Sequence, residues 1–174
     1  GQIGVSYTKY LNGKIINKGV NGDTVVGMTA RLKKILESKK HSDVNDYIVA
    51  IGTNDILLPT LKKCSPFWRM FIPMMNRVEG KIVSEDLSEF CERYEEMLGL
   101  LAGKNVTLLG IPMMETKKCT INDDIVNRNA KIAELAEKYG MRYIDTYSLM
   151  ANIKAGTEGD YFYEKTNLMR IIDV

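Results

Sequence analysis

Histidine and cysteine, the usual ligands of transition-metal centres, are scarce in this sequence. The 174 residues include one histidine, His41, and three cysteines, Cys64, Cys91 and Cys119. The cysteines form an odd count without C-x-x-C spacing, which argues against both a zinc site and a full disulfide framework. We therefore predict no metal site and no cofactor. The cysteine usage favours a reducing compartment such as the cytoplasm.

The sequence also lacks a strong net charge and a long apolar run. The formal net charge is +2, which is too small to indicate nucleic acid or an anionic membrane as a partner. No apolar run approaches the roughly 20 residues that a membrane-spanning helix needs. The apolar fraction of 45% and the charged fraction of 26% are those of an ordinary globular protein. We expect one domain, 1–174, with a proper hydrophobic core.

The chain does contain an alternation of short apolar runs and amphipathic segments. Apolar residues recur at helical spacing in some segments and form brief, β-rich buried runs in others. Extended segments are predicted at 14–17, 47–51, 106–109 and 142–144, and helices at 23–38, 84–101, 123–139 and 167–174. Ser84 is the predicted N-cap of the second helix. This alternation predicts an α/β fold with three layers, α/β/α, in which a flavodoxin-like parallel sheet has helices on both faces.

Residues 61–82 form an irregular part of the pattern, and we expect an apolar insertion there. The segment carries CSPFWRMFIPMM, which has too many apolar side chains for a solvated loop. Three interpretations follow: a local mini-core, a lid that lines an apolar acyl pocket, or a contact within a homo-oligomer. The lid interpretation assigns substrate binding to Trp68, Phe71 and Met74.

Polar residues follow two of the predicted strands directly. The stretch GTND at 52–55 ends the strand 47–51, and NKGVNGDT at 17–24 follows the segment 14–17. Ligands of an open parallel sheet bind outside the carboxyl ends of its strands, so both stretches are candidates for a site.

Each stretch also has a plainer interpretation. Gly52 and Asn54 are residues that turns favour, and Asp23 or Thr24 can simply cap the next helix. Gly22 near a helix N-terminus could instead hold the phosphate of a nucleotide, although the spacing of known phosphate-binding loops is missing.

Together the two stretches resemble the SGNH, or GDSL-type, hydrolase family. NKGVNGDT is similar to the block whose glycine N–H belongs to the oxyanion hole, and GTND to the block whose asparagine is another donor. The resemblance assigns these roles to Gly22 and Asn54. VTLLGIPMM and VNRNAKIAELAEKYGMRYIDTYSLM resemble the segments that follow in the family, so the resemblance spans nearly the whole chain. It implies a cofactor-free serine esterase or acylhydrolase that acts on small-molecule esters.

The sequence departs from the family pattern at two catalytic blocks. The family carries its nucleophile in a Gly-Asp-Ser motif and its base in a D-x-x-H motif, and neither motif occurs here. His41 lies in KKHSDVND, before a strand, which predicts a surface histidine at the amino end of the sheet. No serine has the nucleophile context; the serines are Ser6, Ser38, Ser42, Ser65, Ser84, Ser88 and Ser148.

Two function classes therefore stay open. The first is an ester hydrolase whose catalytic blocks lie in segments outside this sequence, and DYFYEKTNLM does read as if residues were absent between Tyr163 and Lys165. The second is a non-catalytic binding domain that has kept the fold and lost the serine and histidine. In both, Asp55 is expected to cap or orient its loop.

Overall fold

The computed structural model describes residues 7–64, 66–79, 82–114 and 121–156 of the chain. The strands are β1 (Asp46–Ala50), β2 (Asn105–Leu109) and β3 (Arg142–Ile144). The α-helices are α1 (Val25–Glu37), α2 (Thr53–Cys64), α3 (Pro66–Glu79), α4 (Leu87–Gly99), α5 (Asn122–Lys138) and α6 (Thr146–Ala155). Short 3-10 helices lie at Tyr7–Tyr10 and Lys39–His41.

The described strands form one parallel sheet in the order β1-β2-β3. Asp46 of β1 pairs with Asn105 of β2, and Thr107 of β2 pairs with Arg142 of β3. The predicted strands at 47–51, 106–109 and 142–144 are confirmed as parallel neighbours, and so is the α/β fold with helices around the sheet. Because all three strands point the same way, the segments that follow them meet at one edge of the sheet.

Helix α4 supplies much of the hydrophobic core. Its apolar residues recur at three- and four-residue spacing, which places them on one face of the helix. The fully buried members are Phe90, Tyr94, Met97 and Leu98. They belong to one cluster with Val106 and Leu108 of β2 and with Ile125 and Ile132 of α5. Each such side chain contributes about 1.5–3 kcal/mol when it is fully buried.

The predicted extended segment at 14–17 does not form a strand. Residues 12–20 adopt neither helix nor strand, and Ile15 and Ile16 are exposed. Residues 14–20 and 46–51 both contribute to the lining of a cavity of about 520 Å³. Among the described residues, β1 pairs with β2 alone, so the segment 14–17 has no strand partner.

The expectation of an irregular insertion at 61–82 is wrong over most of its length. Helix α2 runs to Cys64, and α3 covers Pro66–Glu79. Pro66 occupies the first turn of α3, where its missing N–H costs nothing. Pro59 and Pro73 lie inside α2 and α3, where each removes one backbone hydrogen bond without ending the helix.

Two further predictions concern helix ends. The N-cap of α4 is Asp86 and not Ser84, because the Asp86 carboxylate accepts the N–H groups of Ser88 (2.7 Å) and Glu89 (3.2 Å). Helix α6 was not predicted, because its sequence lacks a clear apolar stripe. In agreement with this, it has no fully buried residue. The predicted helix at 167–174 lies outside the described residues.

Candidate functional site

The GTND stretch lies where β1 gives way to α2. Gly52 has φ of 108°, a backbone conformation that side chains rarely adopt. A Cβ atom on Gly52 would also lie 2.9 Å from Ile111 Cδ1 and 3.2 Å from the Phe90 ring. Helix α2 begins at the next residue, so Asn54 belongs to a first helical turn and not to the loop that the sequence suggested.

The NKGVNGDT stretch forms a turn that leads into α1. Gly22 takes a left-handed conformation with φ of 72°. Thr24 is the N-cap of α1: its hydroxyl accepts the Gly27 N–H at 3.3 Å and donates to the Ile82 carbonyl at 2.7 Å. The prediction that Asp23 or Thr24 caps this helix is confirmed for Thr24.

A side-chain hydrogen bond joins the two stretches. The Asn54 Nδ2 group donates to the Asp23 carbonyl at 2.8 Å. Asp23 directly follows Gly22, so the two residues assigned to the oxyanion hole lie together, beyond the carboxyl end of β1. An amide nitrogen carries two N–H bonds, and one bond to Asp23 leaves the second for a ligand.

Asp55 adds a second link between the same stretches. Its side chain is fully buried, with 0% exposed. Oxygen Oδ2 accepts the Val25 N–H at 3.0 Å, and Oδ1 accepts the Ser84 N–H at 3.3 Å. One carboxylate thus holds the start of α1 and the segment before α4 against α2.

Burial sets the protonation of Asp55. Loss of solvent raises the pKa of this carboxyl from its ordinary value of 3.8 to about 6. The backbone N–H groups of Val25 and Ser84 lower the pKa by hydrogen bonding to the charged form, but by less than burial raises it. Asp55 is therefore ionised at neutral pH and close to its titration point in mildly acidic solution.

Arg128 of α5 is a buried cation beside the candidate site, and sequence reasoning missed it. It is 5% exposed and donates to the carbonyls of Ser84 (3.2 Å) and Glu85 (2.8 Å). Its guanidinium lies 4.4 Å from the centroid of the Phe90 ring. Burial lowers the pKa of Arg128, and the negative charge of Asp55 raises it. The available signal was its spacing, because Arg128 follows buried Ile125 by three residues on the core face of α5.

Asn129 holds the corresponding segment after β2, and it was missed too. Its side chain accepts the Ile111 N–H at 2.7 Å and donates to the Ile111 carbonyl at 2.8 Å. Gly110 of this segment lies against the side chain of Tyr143 from β3, since a Cβ on Gly110 would lie 2.6 Å from the Tyr143 hydroxyl oxygen. A buried asparagine inside an apolar helix stripe was the signal that could have identified it.

The structure places Trp68, Phe71 and Met74 on α3. Trp68 and Phe71 are half-buried and in ring contact, with centroids 6.0 Å apart, whereas Met74 is 56% exposed. Phe67 stacks on Phe71 with centroids 5.6 Å apart. Among the described residues, no hydrogen bond or ring contact joins these side chains to Gly22 or Asn54.

The remaining candidate residues are His41 and the serines. His41 is half-buried in the 3-10 turn before β1, at the amino end of that strand, as predicted. Ser84 is fully buried. Ser38, Ser42, Ser88 and Ser148 are exposed, and Ser6 and Ser65 are not described. Within the described ranges, no cluster of three or more His, Cys, Asp or Glu side chains could hold a metal ion.

None of the described helices is both long enough and apolar enough to span a bilayer.

Sequence comparison identifies the family. The family model described as GDSL-like Lipase/Acylhydrolase family matches residues 2–164. No curated protein and no solved structure is significantly similar to the chain. The match covers most of the 174 residues and agrees with the parallel α/β architecture and with the order of the sequence blocks. The chain therefore belongs to the GDSL-like lipase/acylhydrolase family of SGNH-type hydrolases.

Proposed function

We propose that the protein hydrolyses carboxylic esters of small or acyl-bearing molecules, with the Gly22 N–H and the Asn54 side-chain amide as oxyanion donors. The observation that carries this proposal is the 2.8 Å bond from Asn54 Nδ2 to the carbonyl of Asp23. It sets the amide of Asn54 beside the Gly22 turn at the carboxyl end of β1, where parallel sheets bind their ligands.

The chemistry explains why an amide and a glycine suit this position. A serine oxygen adds to the ester carbonyl while a base takes its proton, and the carbonyl oxygen becomes negatively charged. The alcohol then leaves with a proton, and water releases the acid from the acyl-enzyme. Neutral N–H donors stabilise the oxyanion without bringing a charge that must itself be desolvated. One such donor is typically worth about 100- to 1,000-fold in turnover.

The acyl group of the substrate has a candidate wall in α3. Trp68, Phe71 and Met74 combine half-buried rings with an exposed thioether, and apolar side chains of this kind line most small-molecule pockets. Methionine suits variable acyl shapes because its side chain is flexible and polarisable. The same observations fit a local core or a dimer contact, so substrate preference must decide among them.

A second candidate function is a non-catalytic binding domain with the SGNH fold. The observation in its favour is that neither a Gly-Asp-Ser nor a D-x-x-H motif occurs in the 174 residues. Under this alternative, Gly22 and Asn54 would bind a carbonyl or carboxylate ligand without turning it over. The two functions differ in whether a nucleophilic serine reacts.

The test uses a full-length form of the protein that contains these 174 residues. We expect it to hydrolyse p-nitrophenyl acetate, to keep its activity in excess EDTA, and to be labelled on one serine by a fluorophosphonate. Intact mass identifies the labelled form. A full-length protein that neither turns over the ester nor takes up the label would support the binding domain and contradict the esterase.

A further inference from the structure

Two neighbouring hydrogen bonds clamp the Gly22 turn onto the start of α2. Asn54 donates through Nδ2 to the Asp23 carbonyl, and Asp55 accepts the Val25 N–H through Oδ2 at 3.0 Å. Asn54 and Asp55 therefore hydrogen-bond to the backbone on both sides of Thr24. One hydrogen bond alone would let the Gly22 turn rotate relative to α2, whereas two hydrogen bonds fix their relative position.

The hydrogen bonds of Asp55 require a carboxylate. Asp55 faces two backbone N–H groups, those of Val25 and Ser84, and both need an acceptor. Each buried N–H without a partner costs about 1–3 kcal/mol. An asparagine at position 55 would satisfy one N–H with its oxygen and turn its own N–H₂ group toward the other.

The position of Asp55 is costly, which indicates that it does more than fill space. A fully buried carboxylate must be stripped of water, and an apolar residue of similar size would avoid that cost. The positive charge of Arg128 on α5 offsets the cost in part. A buried charge that bonds to the segments on both sides of the candidate site is well suited to fix their geometry.

We propose that Asp55 is a positioning residue of the esterase site, whose carboxylate fixes the Gly22 turn against Asn54 so that both oxyanion donors face one point. This inference rests on the proposed function and deepens it. Asp55 touches no reacting atom and acts through Asn54 and Gly22. Its loss should therefore lower turnover and leave ground-state binding of the ester unchanged.

The decisive experiment is a double-mutant cycle in the full-length protein, with p-nitrophenyl acetate as substrate. We expect Asp55→Asn to lower kcat about 10- to 100-fold, because small misplacements of catalytic groups have effects of this size, with KM within about twofold. In the Asn54→Ala background, the same change should lower kcat by less than about threefold, because the donor that Asp55 positions is already gone. Asp86→Asn is the matched control, since Asp86 also binds backbone N–H groups at a helix start.

The outcomes separate the two proposals. If the fold-loss in kcat of the double variant equals the product of the two single losses, Asp55 acts independently of Asn54. That result would overturn the positioning role and leave the esterase site intact. So would an unchanged kcat in Asp55→Asn together with a low kcat in Asn54→Ala. If Asn54→Ala itself has the parent kcat, the oxyanion assignment fails and the positioning role fails with it.

Hydrogen exchange gives a readout that does not depend on turnover. In Asp55→Asn the amides of Val25 and Ser84 should exchange at least about 10-fold faster, while those of β2 should keep their parent rates. Equal acceleration throughout β2 would mean general destabilisation and would overturn the positioning role. If Asp55→Asn does not fold, a pH titration of the wild-type protein by NMR replaces it. The amide signals of Gly22 and Val25 should then follow one common midpoint, and a Gly22 signal that does not respond would contradict the inference.

Discussion

Lowering the pH should stabilise the wild-type protein relative to its Asp55→Asn variant. The pKa of Asp55 is raised from 3.8 to about 6 in the folded protein because the carboxyl is buried. Between these values the folded protein holds a proton that the unfolded chain has released. The unfolding free energy contributed by this group is therefore largest below about pH 4 and is lost as the pH rises through about 6.

The magnitude follows from the same two values. A tenfold change in proton affinity corresponds to about 1.4 kcal/mol. The unfolding free energy of the wild type, measured relative to that of the variant, should therefore fall by about 2 to 3 kcal/mol from about pH 4 to about pH 7.5. The other charged groups on the elements around Asp55 are Arg128, Asp23 and Glu85. They are present in both proteins, so subtraction removes their contribution.

The assay is urea unfolding of both proteins at the two pH values, followed by circular dichroism. We expect the unfolding free energy of the wild type to be higher, relative to that of the variant, at the lower pH. The denaturant slopes of the two proteins should be similar. Parallel pH dependence in wild type and variant would refute the reasoning, because it would mean that Asp55 titrates at its ordinary pKa in the folded state.

Three further predictions test single contacts. Gly52→Ala should lower the unfolding free energy by about 1–3 kcal/mol in a urea titration. The reason is that φ there is 108° and that the new Cβ would lie 2.9 Å from Ile111. An unchanged urea midpoint would contradict this prediction. Thr24→Ala should cost about 1–2 kcal/mol in the same assay, because it removes the N-cap of α1, and Thr24→Ser should restore most of the loss. Replacing Trp68 and Phe71 by Ala should shift the preference among p-nitrophenyl esters of different acyl length if they line the pocket. An unchanged preference with a lower melting temperature would assign them to the core, and a sedimentation profile shifted toward monomer would assign them to an interface.

Much of the fold could be predicted because its strands and long helices show regular apolar spacing. Helix α4 is the clearest case, since Phe90, Tyr94 and Met97 recur on one face and all three are buried. Helix α3 was not predicted. Pro66 lies in its first turn, where a proline is tolerated, and Pro73 further along does not end the helix. The segment 14–17 looked like a strand by composition, but strand formation also needs a neighbour, which local sequence does not reveal.

The candidate site divides in a similar way. The sequence alone makes Gly22 and Asn54 candidates, because each falls in a recognisable block, and their catalytic role stays a prediction. The roles of Arg128 and Asn129 could not be predicted, because they depend on long-range contacts with Ser84 and Ile111, 44 and 18 residues away. Polar residues on the buried face of an amphipathic helix are the only trace of such contacts in sequence.

The most direct test of the central claim is the turnover of Asn54→Ala in the full-length protein. Asn45→Ala is the matched control, since Asn45 is an exposed asparagine just before the amino end of β1. For p-nitrophenyl acetate we predict that Asn54→Ala loses about 100- to 1,000-fold in kcat with KM within about twofold, while Asn45→Ala keeps the parent values. A kcat for Asn54→Ala equal to that of the parent and of Asn45→Ala would contradict the oxyanion hole at Gly22 and Asn54.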